Sequence, residues 1–359
     1  MKDTTPRKRD ATTRQGQKPD SHGRTARTVK YLGWSCIWLV MLLLTGWGIM
    51  AIWYSNLPTS LRPWAAGLFG GISLLLPLLL RPRYRGVIAC FGLFALVVTW
   101  WFTIPPSNNR DWQPDLATLA WAEIVGDKVT ILNIRNCDYR TETDFTCHYY
   151  DKTFDMAKLK GVDFFLVYWG SPKIAHTMMS FDFEGQGHVC FSIETRKEKG
   201  EEYSTVKGFF RQYEIIYIVA DERDLVRLRT NYREAGKGED VYLYRLKVTP
   251  EMARKVFLSY LGKVNRLKER PEWYNALTDN CTTSILRHTM PYNPNARLDW
   301  RLIVNGYIDE MLYERGTLDT TLPFAELKRR SYINPVARKT DKNDDFSRLI
   351  RKGLPGNNP

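Results

Sequence analysis

Residues 174–195 read IAHTMMSFDFEGQGHVCFSIET. Two strand-like runs, 174–183 and 188–195, flank Glu184-Gly185-Gln186-Gly187, a glycine-rich turn suited to a β-hairpin. A turn centred there makes residues whose numbers sum to about 370–372 face one another. His176 then lies opposite Glu194, or within one residue of it. Directly opposed side chains approach to within about 5 Å. A carboxylate at that position can accept one imidazole N–H and fix the tautomer, leaving the other ring nitrogen for a reacting group.

Outward from the hairpin the chain continues to read as strands and then helices. Val129–Asn136 alternates, Val162–Trp169 is a continuous apolar run, and Tyr213–Ala220 and Val241–Val248 are further strands. Asp221 is placed to cap a helix, with Asp224 in the capping-box position. Thr249-Pro250 is an N-cap followed by proline at the first helical position. The helix after it carries Met252, Val256, Phe257, Tyr260, Leu261, Val264 and Leu267 on one side, a core face. A short helix runs from Cys281 to about Met290 and stops at Pro291. No internal repeat is visible. The expectation is an α+β domain over residues 105–330, followed by a flexible basic tail over 331–359.

The residues before this domain have a different character. Residues 1–30 form a polar, basic tail, and 31–104 are almost all apolar. Three spans, about 31–54, 64–80 and 86–104, lie near the ~20 residues needed to cross a bilayer. Charged side chains interrupt none of them, and Trp34, Trp53, Tyr54, Trp64, Trp100 and Trp101 fall near their ends, where amphipathic rings favour the headgroup layer. A cleaved signal peptide fits poorly, because the first run begins too far from the N-terminus and is too long. Buried core helices fit poorly too, because a polar face is almost absent. Basic residues crowd the tail and the second connection (Arg81, Arg83, Arg85), whereas the first connection holds only Arg62. Both basic segments are therefore expected in the cytoplasm, which puts the C-terminal domain in the periplasm of a bacterial inner-membrane protein. The net charge of +13 comes partly from these topogenic residues. Anionic lipid headgroups, rather than nucleic acid, are the expected partner for them.

Six cysteines divide into three groups. Cys36 and Cys90 lie within spans as small apolar fillers. Cys137 and Cys147 flank a turn centred near Glu142, which favours a disulfide in an oxidising compartment. Cys190 and Cys281 are left, and no spacing suggests a zinc site. Cys281 follows Asp279-Asn280, two residues favoured as N-caps. A thiol in the first helical turn sees unpaired N–H groups and the positive end of the dipole, which stabilise thiolate. N–H groups there, at Asn280 and Thr282, are candidates to hold an oxyanion or support the site. A buried structural cysteine is the competing reading. Among five histidines, His176 is the candidate base, although a core imidazole satisfied by backbone is the bland alternative. Glu194 is the candidate orienting carboxylate; its alternative is a charge paired with Arg196 or Arg211. Arg196 and Arg223 are candidate substrate contacts, with Arg223 placed to meet a phosphate headgroup. The Asp221–Asp224 charges otherwise read as a cap and ion-pair cluster.

Ala175-His176-Thr177 with Ser180-Phe181, Ser192-Ile193-Glu194-Thr195-Arg196, Gly208-Phe209-Phe210, Asp221-Glu222-Arg223-Asp224, Leu228-Arg229-Thr230, Val241-Tyr242-Leu243-Tyr244 and Asn280-Cys281-Thr282-Thr283 together resemble the Lnb N-terminal periplasmic domain family. The resemblance covers about residues 110–300. The family takes its name from an enzyme that moves an acyl chain within bacterial lipoproteins. The His-before-Cys order also resembles circularly permuted papain-like thiol enzymes, which pass acyl groups through a cysteine thioester. The resemblance thus implies a membrane-anchored cysteine acyltransferase with Cys281, His176 and Glu194 as its machinery. It implies no cofactor or metal, and membrane lipids and lipoproteins as partners. Two other readings use the same residues: a cysteine hydrolase acting on envelope peptides, and a non-catalytic tethered binding domain with a structural cysteine. An apolar groove at Cys281 would favour the transferase and a polar cleft the hydrolase. A buried Cys281 remote from His176 would favour the binding domain.

Overall fold

The computed structural model describes residues 21–233, 236–293, 297 and 299–356. Residues 1–20 of the expected basic tail lie outside that range. The chain divides into two compact units: a helical one up to Thr103 and a mixed one that contains Ile104–Pro359.

The first unit holds α1 (Ser21–Trp53), α2 (Arg62–Leu79) and α3 (Arg83–Thr103). All three helices are long and apolar enough to cross a membrane. Only 28%, 28% and 17% of their most apolar windows is buried, so most of the apolar surface faces outward, as lipid solvation requires. Their mutual contact is built on Ile52, Ala66 and Phe69, with Leu93, Phe94 and Val97 packed against them. At Gly86 a Cβ would sit 2.4 Å from the Leu76 carbonyl oxygen, so only glycine lets α3 approach α2 this closely.

The second unit is an α+β domain. Its strands are β1 (Trp121–Val125), β2 (Lys128–Tyr139), β3 (Phe145–Asp155), β4 (Leu159–Tyr168), β5 (Ala175–Phe183), β6 (Gly187–Arg196), β7 (Glu214–Ala220) and β8 (Asp240–Arg245). Between and after them come α4 (Thr205–Phe209), α5 (Glu222–Arg227), α6 (Pro250–Glu269), α7 (Cys281–Thr289), α8 (Ile308–Glu314), α9 (Phe324–Arg330), α10 (Asn334–Lys339) and α11 (Phe346–Leu349). The sheet order is β1-β2-β7-β6-β5-β4-β8, with β3 on β2. β2 and β7 pair in parallel through Arg135 and Ala220.

Both faces of the sheet are covered. On one, Phe164, Met179, Phe181 and Phe191 pack against Val256, Phe257, Tyr260 and Leu261 of α6. Thr249 caps α6 as its side chain accepts from the Met252 N–H, with Pro250 at the first position. On the other face, Phe165, Met178, Ile216 and Ile218 meet Leu225 and Val226 of α5 together with Ile333, Ala337, Phe346 and Ile350. That second layer corrects the expectation of a flexible tail after residue 331. The Ile333 N–H donates to the Val241 carbonyl and the Leu243 N–H to the Ser331 carbonyl, so this segment covers the β8 edge. Arg351 is buried, with Nε 2.9 Å from Asp163 and Nη1 2.8 Å from Glu222. The segment's polar composition hides a few apolar anchors and one buried arginine paired with two carboxylates.

Asp224 also departs from expectation. Asp221 caps α5 by accepting from the Arg223 N–H. Asp224, however, is fully buried rather than completing a capping box. It accepts from Arg135 Nε and Nη2 at 2.8 Å, the Cys137 N–H at 2.9 Å and the Tyr139 hydroxyl at 3.1 Å. Cys137 and Cys147 face each other across β2 and β3 and are disulfide-bonded.

Candidate active site

The β5–β6 register pairs Met178 with Ser192 and Ser180 with Cys190, numbers that sum to 370. Continued by one pair along each strand's face, it sets His176 against Glu194. His176, Ser192 and Glu194 therefore share a face of the sheet by simple alternation.

Cys281 is the first residue of α7. The Asn280 side chain caps the helix by accepting from the Thr283 N–H at 2.9 Å, and Thr283 Oγ1 accepts in return from the Asn280 N–H at 3.0 Å. Asn280 Nδ2 donates to the Ala276 carbonyl, so the whole amide serves the helix start. The N–H groups of Cys281 and Thr282 precede the capped one, in the turn where helical N–H groups lack helical acceptors.

One side chain joins the two elements. Asn305 Oδ1 accepts from the Ala175 N–H at 2.8 Å, and its Nδ2 donates to the Ala175 carbonyl and to Thr282 Oγ1, both at 2.6 Å. It laces the residue before His176 to the residue after Cys281. The next residue, Gly306, runs against the loop after β4, where a Cβ would meet the Pro172 carbonyl oxygen at 2.2 Å. Glycine is required for Asn305 to reach in.

Within this frame the Cys281 thiol lies close enough to the His176 imidazole and the Thr177 backbone N–H for both to favour its charged form, and its Sγ is 3.9 Å from Thr282 Oγ1. The Thr177 hydroxyl is fully buried and has no hydrogen-bond partner among the described residues. His176 Nε2 lies 2.7 Å from Ser192 Oγ and 3.3 Å from Glu194 Oε1. Ser192 Oγ donates to the same carboxylate oxygen at 2.7 Å, so it accepts from the imidazole N–H. With Nε2 engaged, Nδ1 is the nitrogen left for the thiol. The expected direct contact between histidine and glutamate is thus mostly a relay through a serine hydroxyl. Glu194 is anchored from behind by the buried Arg229, whose Nη2 bonds it and lies 3.3 Å from Ser192 Oγ. Arg229 sits in a π-helical turn, Leu228–Tyr232, that extends α5.

The electrostatics follow from this chain of contacts. Burial alone would push the Cys281 thiol up, but the adjacent imidazole reverses this and brings it to about 7. Burial likewise disfavours a charged His176, yet Glu194 and the thiol raise it to about 9. Glu194, despite burial, is held well below the usual carboxylate range by His176 and Arg229. Near neutral pH the arrangement favours a thiolate–imidazolium pair over two neutral groups.

The thiol opens onto a cleft of about 310 Å³. Trp169, Tyr203 and Tyr274 supply aromatic walls, and Glu142, Lys197, Arg233 and Glu239 a charged rim. Among the described residues, no group of His, Cys, Asp and Glu is arranged to hold a metal.

Several expected roles change. Arg196 is buried and fully used: Nε and Nη2 donate to the Leu116 and Ala117 carbonyls and Nη1 to Asn108, with the guanidinium stacked on Trp112. It staples the linker to β6 and is not free to meet substrate. Arg223 pairs with Asp221 and Asp344 and lines a different cleft. Glu194 pairs with neither Arg196 nor Arg211 but with Arg229. Thr282 Oγ1 accepts from Asn305 and lies 3.9 Å from Cys281 Sγ. His288 is a core imidazole between Tyr217 and Ser259, and burial holds it neutral with a pKa of about 4.

Ser192, Arg229, Thr177 and Asn305 were missed as site residues. Ser192 was within reach, since it shares Glu194's parity one step along the hairpin face. Arg229 and Asn305 carry no local signal.

Residues 145–306 match the family model of the Lnb N-terminal periplasmic domain. No curated protein and no solved structure matches the chain. The match begins at β3 and ends one residue after Asn305, so it encloses the thiol, its imidazole and their supports. A periplasmic-domain family behind three apolar helices fits an inner-membrane anchor and a membrane-anchored protein of the cell envelope. Over residues 145–306, the chain is similar to the Lnb N-terminal periplasmic domain.

Proposed function

We propose that this protein is a membrane-anchored cysteine acyltransferase of the bacterial envelope. Its N-terminus faces the cytoplasm and its sheet domain the periplasm, as the basic residues beside α1 and between α2 and α3 favour. The observation that carries the proposal is a thiol at the first turn of α7, beside an imidazole that lowers its pKa and that Ser192, Glu194 and Arg229 support from behind. A helix-start cysteine beside a strand histidine, with histidine first in the chain, resembles the order of permuted papain-like thiol enzymes and supports this reading.

In this mechanism His176 Nδ1 takes the Cys281 proton and the thiolate attacks an ester carbonyl. The N–H groups at the start of α7, with that of Thr177, receive the oxyanion. The C–O bond breaks, His176 returns the proton to the departing alkoxide, and a thioester remains on Cys281. An amine then attacks the thioester and passes its proton to His176, and the thiolate leaves. Lipids or lipoproteins supply ester and amine, and the anchor raises their effective concentration. A second reading, hydrolysis of a peptide or amide in which water replaces the amine, draws support from the charged rim of the cleft.

The test is mass spectrometry of the full-length protein incubated with inner membranes. An acyl adduct on Cys281, absent from Cys281→Ala, is expected, with lipoprotein acyl forms changed by the wild type alone. No adduct and unchanged acyl forms would remove the transferase. Release of peptide or free acid alone would move the assignment to a hydrolase.

A further inference from the structure

Behind α7, on the side away from the charged cleft, lies a partly open cavity of about 90 Å³. Its walls are Val162 and Phe164 of β4, Met179 of β5, Met252 and Val256 of α6, and Ile285 of α7, with further apolar residues of the same elements and of α8. The wall is mostly aliphatic, and its polar side chains are Thr282, Thr289, Asn293, Arg315 and Thr317. Thr282 Oγ1 accepts from Asn305, and the Thr289 hydroxyl donates back to its own helix at Ile285. Arg315, the one charged group of the wall, is tied through Nη2 to Asp299 and to the Arg297 carbonyl. Apolar cavities stay dry and accept hydrocarbon. Methionines at 179, 252 and 311 give the wall an adaptable surface.

The cavity adjoins the candidate nucleophile through a single residue. Thr282 follows Cys281 and lines the cavity, while Cys281 lines the cleft on the other side. We infer that this cavity is the binding site for one linear acyl chain of the substrate, held across the first turn of α7 from the thiol. The inference rests on the acyl-transfer reading for its purpose, but the occupant follows from the lining. Aliphatic side chains form most of the lining, and an aromatic ligand would meet only one ring, Phe164. The ester end is then left at the polar cleft, so hydrocarbon and reacting carbonyl are sorted to opposite sides of α7.

The test uses the full-length protein in phosphatidylcholine nanodiscs and palmitic acid carrying a mid-chain diazirine. After irradiation, adducts on the α6 and α7 peptides around Met252 and Ile285 are expected, at least fivefold reduced by excess palmitate. Ile285→Trp, which fills the cavity, should reduce them to a similar extent, whereas Cys281→Ser should keep them. Ala253→Leu fills the same space with a smaller change, and thermal melting of both variants shows whether the fold is kept. Labelling of α6 and α7 that neither filling variant reduces, or labelling confined to α1–α3, overturns the proposal. Labelling reduced equally by any detergent overturns it as well. Adducts in the cavity without a thioester in wild type would leave the site standing and remove acyl transfer. A Cys281 thioester without cavity labelling would do the reverse.

Discussion

Two clusters on one face of the β5–β6 hairpin use nearly the same residue types and reach opposite electrostatic ends. Around His176 stand Ser192, Glu194 and Arg229; around His188 stand Asp182, Ser180, Glu222 and Arg351. In each, a serine hydroxyl donates to a glutamate that a buried arginine holds. They lie about six residues, roughly 20 Å, apart along the strands. Yet His176 is raised to about 9, whereas burial lowers His188 and Arg351 adds to the effect. Each cluster also has a cysteine near it. Cys281 is brought down to about 7, but Cys190, buried mid-strand near Glu222, is pushed well above the ordinary thiol value. The difference is the neighbouring imidazole. Cys281 has His176 and the Thr177 N–H to share its charge, while at Cys190 burial outweighs Arg229 and Arg351. Arginine, glutamate and histidine in a buried group are therefore not a site in themselves. They become one where the imidazole keeps a nitrogen for a thiol at the edge of a cleft.

The sharpest break of this parallel is His176→Ala. The rate of acyl-thioester formation should fall by about 10²–10⁴-fold, the usual contribution of a positioned base. His188→Ala should leave that rate unchanged, and a comparable fall would make the two clusters equivalent.

The arginines come next. Arg351→Met leaves Glu222 buried without its counter-charge and Asp163 with Arg245 alone, and should destabilise the domain by about 3–5 kcal/mol in denaturant unfolding. Arg229→Met should cost less, about 1–3 kcal/mol, because Glu194 is more exposed than Glu222 and keeps Ser192. It should instead slow thioester formation at a temperature where the variant is folded. A stability loss from Arg229→Met equal to that of Arg351→Met, with activity intact, would make the first cluster structural too.

Titration separates the cysteines. Alkylation of Cys281 by iodoacetamide should rise with pH around a midpoint of about 7, because deprotonation creates the reactive thiolate. Loss of the imidazolium proton near 9 removes the counter-charge, so any further gain comes from a less stabilised thiolate. In His176→Ala the Cys281 midpoint should move up, since burial is then opposed by less. Cys190 should stay protonated and unreactive throughout. A Cys281 midpoint at the ordinary thiol value would contradict the ion pair.

The smallest expected effect, at Asn305→Ala, tests positioning. Loss of its bonds to Ala175 and Thr282 should cost about 1–3 kcal/mol of stability. It should also raise the Cys281 alkylation midpoint without removing thiol or imidazole. A stability loss with an unmoved midpoint would limit Asn305 to a structural role.

The legible parts of this molecule were those in which neighbours in sequence are neighbours in space. The β5–β6 hairpin placed Glu194 across from His176 because a short glycine-rich turn fixes register. Asn280 and Cys281 announced a helix start because capping is local. Three apolar runs announced three apolar helices. Reading failed where a polar residue was assigned by its type. Arg196 looked available and is spent on carbonyls, and the segment after 331 looked solvated but buries Phe346 and Arg351.

By itself, then, the sequence determined the apolar anchor, the alternation of the strands and a thiol and an imidazole poised on suitable elements, since these depend on periods of two to four residues. Only the tertiary structure decided which charges support the imidazole. Arg229 reaches Glu194 over 35 positions, Asn305 reaches Ala175 over 130, and Arg351 reaches Glu222 over 129. Such partners are chosen by which buried groups must be satisfied once the layers close, and no local pattern encodes that.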